Sequence, residues 1–298
     1  MKLGLQVSRF TWAGAPASTG ATWRAIARDA DQCGLSSLWV MDHFFQISVV
    51  GPPEADMLEG YTALAHAAAV TERIELGTLV TGVTYRHPGL LLKTVTTLDV
   101  LSGGRAWLGI GAAWNEEEHR GLGVPYPSTR ERFELLEDTL QLAHRMFADD
   151  DSPFEGRRVS LERPLNHPQP VRRPPILVGG GGERRTLRLV AQYADACNLF
   201  DTGPGPEGIP HKLEVLQGHC ADVGRDYDEI SKTCLARLTL GTSGGSAPDG
   251  SPVQSVDEAV ARLGRLAEVG IDHVILGMAN DTDPAAYELV AQVVRQVA

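Results

Sequence analysis

ILVGGGGERRTLRLVAQYADACNLF, residues 176–200, passes from a short apolar run through four glycines into a segment of helical period, and then into a second apolar run. Residues 176–178 read as a strand, 183–193 as a helix and 196–200 as the next strand. A helix between two strands is a crossover, and a crossover joins strands that run parallel. The same rhythm extends outward in both directions. Toward the N-terminus, strands are predicted at 2–7, 38–41, 74–80 and 105–110, with helices at 22–33, 61–70, 87–101 and 130–147. The last of these places Phe133, Leu136, Leu140, Ala143 and Phe147 on one face. Toward the C-terminus, a helix carrying Ile209, Leu213, Leu216 and Cys220 leads to a strand at 233–240. Ser255-Val256-Asp257-Glu258 has the spacing of a capping box and opens a helix ending at Gly270. A strand at 271–276 and a helix after Asp283-Pro284 close the series. Eight strand–helix units predict an α/β fold, a (β/α)8 TIM barrel. A doubly wound open sheet is the alternative, because periodicity does not show closure. One domain over 1–298 is expected, with insertions at about 111–129, 149–174 and 241–254.

The chain has 298 residues and a net charge of −11. That balance speaks against a nucleic-acid partner and offers no polybasic patch to a membrane. No apolar h-region follows Met1, and no run of about 18 apolar residues exists to span a bilayer. Cys33, Cys197, Cys220 and Cys234 form neither a CxxC pair nor a zinc spacing. The expectation is a reduced, cytoplasmic protein that takes a small-molecule substrate.

In a barrel of this kind the chemistry sits at the C-terminal ends of the strands. His43 is the one histidine placed at such an end, where an imidazole can exchange a proton near neutral pH. A structural histidine tied to a neighbouring loop has about equal standing on position alone. Asp42 either orients His43 or caps the following turn. The turn at Gly179 to Gly182 lets backbone amides approach an anion at a helix N-terminus, and Arg184 or Arg185 would add charge. Gly-rich turns of this type also occur with no ligand. Gly109 and Gly111 read as close-packing positions, and Glu116-Glu117-Glu118 as a solvated acidic run. His273 falls at the wrong end of its strand, and no histidine pair has metal-ligand spacing, so no metal is expected.

Taken together, SLWVMDHFF (37–45), LGTLVTGVTYRHP (76–88), GGRAWLGIGAAWNEEEHRGLG (103–123), the 176–198 segment and DEAVARLGRLAEVGIDHVIL (257–276) resemble the bacterial luciferase-like superfamily, in particular its F420-dependent oxidoreductase branch. The resemblance implies a barrel that holds a flavin-type cofactor at the strands' C-terminal face. It places the cofactor phosphate at Gly180, Gly181 and Gly182. It sets Leu79, Val80 and Thr81 against the deazaflavin ring as a bulge with a non-prolyl cis peptide. Asp42 and Asn115 fall on cofactor-contacting positions, and His43 on the position of a proton donor. In one place the pattern departs: sugar-phosphate-oxidising members carry a glutamate shortly after the fourth strand's glycines, where this chain has Ala112-Ala113-Trp114. The implied activity is hydride transfer between coenzyme F420 and an organic substrate. The alternatives are an FMN-dependent monooxygenase using O2 and a separate flavin reductase, and a non-catalytic flavin-binding protein. A homodimer is expected by resemblance.

Overall fold

A computed structural model of the chain describes residues 1–201, 208–242, 244–247 and 250–297. Nine parallel strands form one sheet: β1 (Lys2–Val7), β2 (Ser37–Val40), β3 (Glu75–Thr78), β4 (Thr81–Gly82), β5 (Leu108–Gly111), β6 (Ile176–Gly179), β7 (Ala196–Phe200), β8 (Ser231–Arg237) and β9 (His273–Gly277). Their order is β3-β2-β1-β9-β8-β7-β6-β5-β4. Since β4 continues the chain directly from β3, the two ends of that order meet, and a bridge from Leu76 to Ala106 joins β3 to the segment entering β5. The sheet is a nearly closed barrel, which settles the choice against an open doubly wound sheet. Around it stand α1 (Thr19–Gln32), α2 (Gly60–Ala68), α3 (Pro88–Ser102), α4 (Glu116–Leu122), α5 (Thr129–Met146), α6 (Thr186–Tyr193), α7 (Ile209–Val223), α8 (Val256–Glu268) and α9 (Pro284–Val297).

Local chemistry explains the elements. The stripe foreseen on α5 is inward: Leu136, Leu140 and Ala143 are fully buried. Ser128 and Glu131 close a capping box at its start, and Ser255 and Glu258 close the expected one on α8. Gly103 ends α3 in the left-handed conformation at φ 72°. Inside the barrel, Gly109 must lack a side chain, because a Cβ there would stand 1.9 Å from the Thr78 carbonyl oxygen. Buried carboxylates tie loops to the scaffold: Asp31 accepts from the amides of Glu72, Arg73 and Ile74, and Asp138 from those of Arg157, Arg158 and Val159.

The differences from the sequence reading are local. The single strand expected at 74–80 is two strands, interrupted at the cis Leu79–Val80 peptide. There the Gln6 side-chain amide donates to the Leu79 carbonyl at 2.9 Å, and the Thr78 and Thr81 hydroxyls pair at 2.6 Å. The fourth-strand region begins its regular pairing at Leu108 rather than 105. Helix α4 falls inside the insertion expected at about 111–129. The 149–174 excursion contains a hairpin of Phe154–Glu155 with Ser160–Leu161. The segment after β8 pairs Thr239–Leu240 and Gly245–Ser246 with Pro252–Gln254.

Candidate active site

The C-terminal ends of the strands surround a cavity of about 1280 Å³. His43 follows β2 into its wall, and its Nδ1 lies 2.6 Å from Oε1 of Glu118 on α4. Glu118 is fully buried, and its Oε2 accepts from the amides of Phe44 at 2.8 Å and Phe45 at 3.3 Å. The Tyr85 hydroxyl donates to Oε1. Burial alone would raise the Glu118 carboxyl, but bonds from His43, Tyr85 and the Phe44 amide hold it below its ordinary value, so it is ionised at neutral pH. Because a carboxylate only accepts, the His43 Nδ1 carries the proton, and Nε2 is the nitrogen left for exchange in the cavity. Trp114 packs edge-on to the His43 ring at 5.5 Å between centroids.

Glu118 corrects the expectation of a solvated acidic run. Glu116 and Glu117 are exposed, but the first turn of α4, which begins after Asn115, carries Glu118 inward beneath the chain leaving β2. His43 also has a different orienting group from the one considered. Asp42 points away from it, accepting from both terminal nitrogens of Arg86 at 2.8 and 2.9 Å and from the Gly82 amide at 3.2 Å. Arg86 further contacts Glu59 and stands 4.9 Å from the Tyr61 ring centroid. Burial pushes the Asp42 carboxyl up, to about 6, and the Arg86 guanidinium limits the rise. Burial likewise lifts the Tyr61 hydroxyl to about 12, and that hydroxyl bonds Thr81 at 2.7 Å. These bonds brace β4, and with it the cavity wall beside His43.

Of the residues singled out in the sequence, Asp42, His43, Leu79, Val80, Thr81 and Gly180 line the cavity. Gly181 and Gly182 line a smaller adjoining cavity with Lys212 of α7. Asn115 and Arg184 line neither. Asn115 begins α4 and accepts from His119 through its carbonyl, at 2.6 Å, while Arg184 is exposed. Lys212 is the cation whose side chain packs at the glycine turn, where a Cβ on Gly181 would meet its Cε at 3.6 Å; it is mostly buried and paired with Glu183 at 2.8 Å. Sequence reasoning missed Lys212, Glu118, Tyr85, Arg86 and Glu59. Tyr85 and Arg86 lie within the 76–88 segment that carries the resemblance, whereas the three consecutive glutamates offer no local cue to which one turns inward.

The glycine turn suits a cofactor phosphate. Gly180 has φ 112°, a conformation that side chains disfavour, and a Cβ on Gly179 would meet Val80 Cγ1 at 2.8 Å. Among the described residues, the amides of Gly181 and Gly182 donate to no acceptor, at the N-terminal side of α6 and beside Lys212. Open backbone donors there suit a phosphate. The main cavity exceeds the roughly 300–1,000 Å³ of an ordinary single-ligand pocket, so a cofactor ring and a second molecule have room together.

Residues 1–247 match the model of the family described as luciferase-like monooxygenase. The chain belongs to that family. As a luciferase-like protein it is an oxidoreductase. An uncharacterized protein of Mycobacterium tuberculosis is 29% identical over 284 residues, covering 90% of this chain and 92% of that protein. An F420-dependent glucose-6-phosphate dehydrogenase of Kineococcus radiotolerans is 31% identical over 222 residues, covering 72% of this chain and 63% of its own length. Among solved structures, an F420-dependent secondary alcohol dehydrogenase in complex with an F420–acetone adduct superposes with a TM-score of 0.80 at 17% identity, covering 100% of this chain and 99% of that one. The oxygenating constituent of 3,6-diketocamphane monooxygenase from Pseudomonas putida, in complex with FMN, gives 0.77 at 16% identity, covering 100% and 98%. These likenesses place the luciferase-like barrel on the whole chain. Among the described residues, no helix is long and apolar enough to cross a membrane, and no group of three or more His, Cys, Asp or Glu is placed to hold a metal ion.

Proposed function

We propose that the chain is an F420-dependent oxidoreductase acting on a small organic substrate, with His43 as the proton-exchanging residue. The observation that carries this reading is the His43–Glu118 pair, an imidazole on the cavity wall with a buried carboxylate behind it. When bound, the deazaflavin supplies hydride chemistry at its C5. The remaining work belongs to this chain. Delivery of a hydride to an unsaturated carbon must be matched by a proton, and His43 supplies it from Nε2 in reduction or accepts it there in oxidation. Glu118 fixes the ring orientation and stabilises the imidazolium formed when the proton rests on His43. Gly180, Gly181 and Gly182 would take the cofactor phosphate, with Lys212 offsetting its charge. The segment from Leu79 to Thr81 would support the ring. F420 is favoured over FMN because named relatives near 30% identity are F420-dependent, whereas the FMN-bound likeness rests on 16%.

Titration of the purified protein with F420 and, separately, with FMN tests this, read by the cofactor's absorbance and fluorescence. The proposal expects tight F420 binding and weak FMN binding. The reverse order would transfer the assignment to a monooxygenase that uses O2 and needs a separate reductase. Binding of neither would remove cofactor chemistry from the reading.

A further inference from the structure

In the wall of the same cavity stands a cation that the reading above does not use. Arg237 ends β8 and lines the cavity. It is in register with Gly277 on β9, where a Cβ would stand 4.0 Å from Arg237 Cγ, so the arginine stem meets no side chain at that position. Its guanidinium has one hydrogen bond among the described residues, to the Val49 carbonyl at a long 3.4 Å. The neighbouring carboxylate is already engaged: Asp201 is held by Arg262 at 2.6 Å, and Arg262 also donates to the Arg237 carbonyl at 2.7 Å. Arg237 therefore has no carboxylate partner among the described residues, in a chain whose net charge is −11. Ile47, Val49, Val50, Leu235 and Met278 give this part of the cavity an apolar lining.

A guanidinium is matched by the two oxygens of a carboxylate, which it binds through two parallel hydrogen bonds. We propose that Arg237 anchors a carboxylate of the substrate, making the substrate an organic acid with an apolar body. The inference deepens the proposed function and rests on it for the claim that the bound acid is the reactant. Carboxylates on the acidic tail of F420 are the other source of the same chemistry. The geometry favours the substrate. The glycine turn follows β6, its adjoining cavity is lined by Leu199, Phe200, Ile209 and Lys212, and Arg237 is not among that cavity's residues.

The test uses two probes of one shape, trans-cinnamate and the neutral trans-cinnamamide, titrated calorimetrically into the F420-loaded protein. Wild type is expected to bind the acid about ten-fold or more tightly than the amide, the scale of one charge-assisted bond. Arg237→Gln is expected to erase that preference, Arg237→Lys to restore part of it, and F420 affinity to stay the same in all three proteins. Equal binding of acid and amide, no binding of the acid, or a preference that survives in Arg237→Gln would overturn the proposal. A weakened F420 affinity in Arg237→Gln, with the acid preference intact, would assign Arg237 to the cofactor tail and also overturn it. Should F420 not bind wild type, the cofactor reading falls by itself. The acid–amide comparison in the cofactor-free protein then decides Arg237 separately, by the same two outcomes.

Discussion

Replacing Glu118 by Gln tests the core of the site, because it preserves shape while removing one charge. Oε2 of Glu118 faces two fixed backbone donors, the Phe44 and Phe45 amides. The carbonyl oxygen of the glutamine is expected to keep that place. Its amide nitrogen then falls where Oε1 stood, facing His43 Nδ1 and the Tyr85 hydroxyl. A donor now points at a nitrogen that carries a proton in wild type. The imidazole must either turn away or adopt the opposite tautomer, and an imidazolium loses its counter-charge. Hydrogen bonds to charged groups are worth about 1.5–3 kcal/mol, and each 1.36 kcal/mol is ten-fold in rate, so kcat is expected to fall about 10- to 150-fold. The affinity for F420 should not change, since Glu118 does not line the cavity. The assay has three parts: F420 titration, steady-state rates with an acceptor or donor found by screening, and the solvent deuterium isotope effect on kcat. That effect should grow as proton transfer becomes the slow step. An unchanged kcat would refute the argument. So would an equal loss of F420 affinity and rate with no change in the isotope effect, since Glu118 would then only hold the β2 loop in place.

Three further outcomes are expected. His43→Ala should bind F420 as wild type does and lose most turnover, and unchanged turnover would remove His43 from the mechanism. Gly181→Asp should abolish or severely weaken F420 binding by setting a carboxylate against the phosphate, while Gly181→Ala, whose Cβ would meet nothing nearer than Lys212 Cε at 3.6 Å, should bind nearly normally; equal binding by the aspartate variant would remove the phosphate from this turn. Burial lowers the His273 imidazole from 6.5 to about 4 in the folded protein. Between those values the unfolded chain binds the extra proton, so this contribution to stability is complete above pH 6.5 and lost as pH falls toward 4. The loss is about 3 kcal/mol at 1.36 kcal/mol per unit. Denaturant unfolding of wild type and His273→Gln across that window should show a shallower acid decline in the variant, and parallel declines would refute the assignment.

The barrel was legible because its signals are local. Each strand is a short apolar run and each helix an apolar stripe with recognisable ends, and eight alternations leave few ways to bury the helices' inner faces. The interruption at Leu79–Val80 was legible only through resemblance, because a break between Thr78 and Thr81 leaves the apolar pattern of 74–80 unchanged. That His43 and the glycine turn would stand at a cavity was legible, because strand C-terminal ends are where such a fold opens its cavity. Glu118, Arg86 and Arg237 were not. Each is one charged residue among several, and its significance depends on partners distant in sequence: His43 is 75 residues from Glu118, and Asp42 is 44 from Arg86.

By itself, then, the order of apolar runs, glycines and caps determined the alternating α/β architecture and the end of the barrel where chemistry belongs, since backbone periodicity and turn geometry act over a few residues. Only the tertiary structure decided which carboxylate stands behind His43, that Asp42 serves Arg86 instead, and that Arg237 faces the cavity with no carboxylate partner among the described residues. Charge pairing depends on distance in space and on exclusion of water, and closure of the barrel is what brings those side chains together and buries the carboxylates of Asp42 and Glu118.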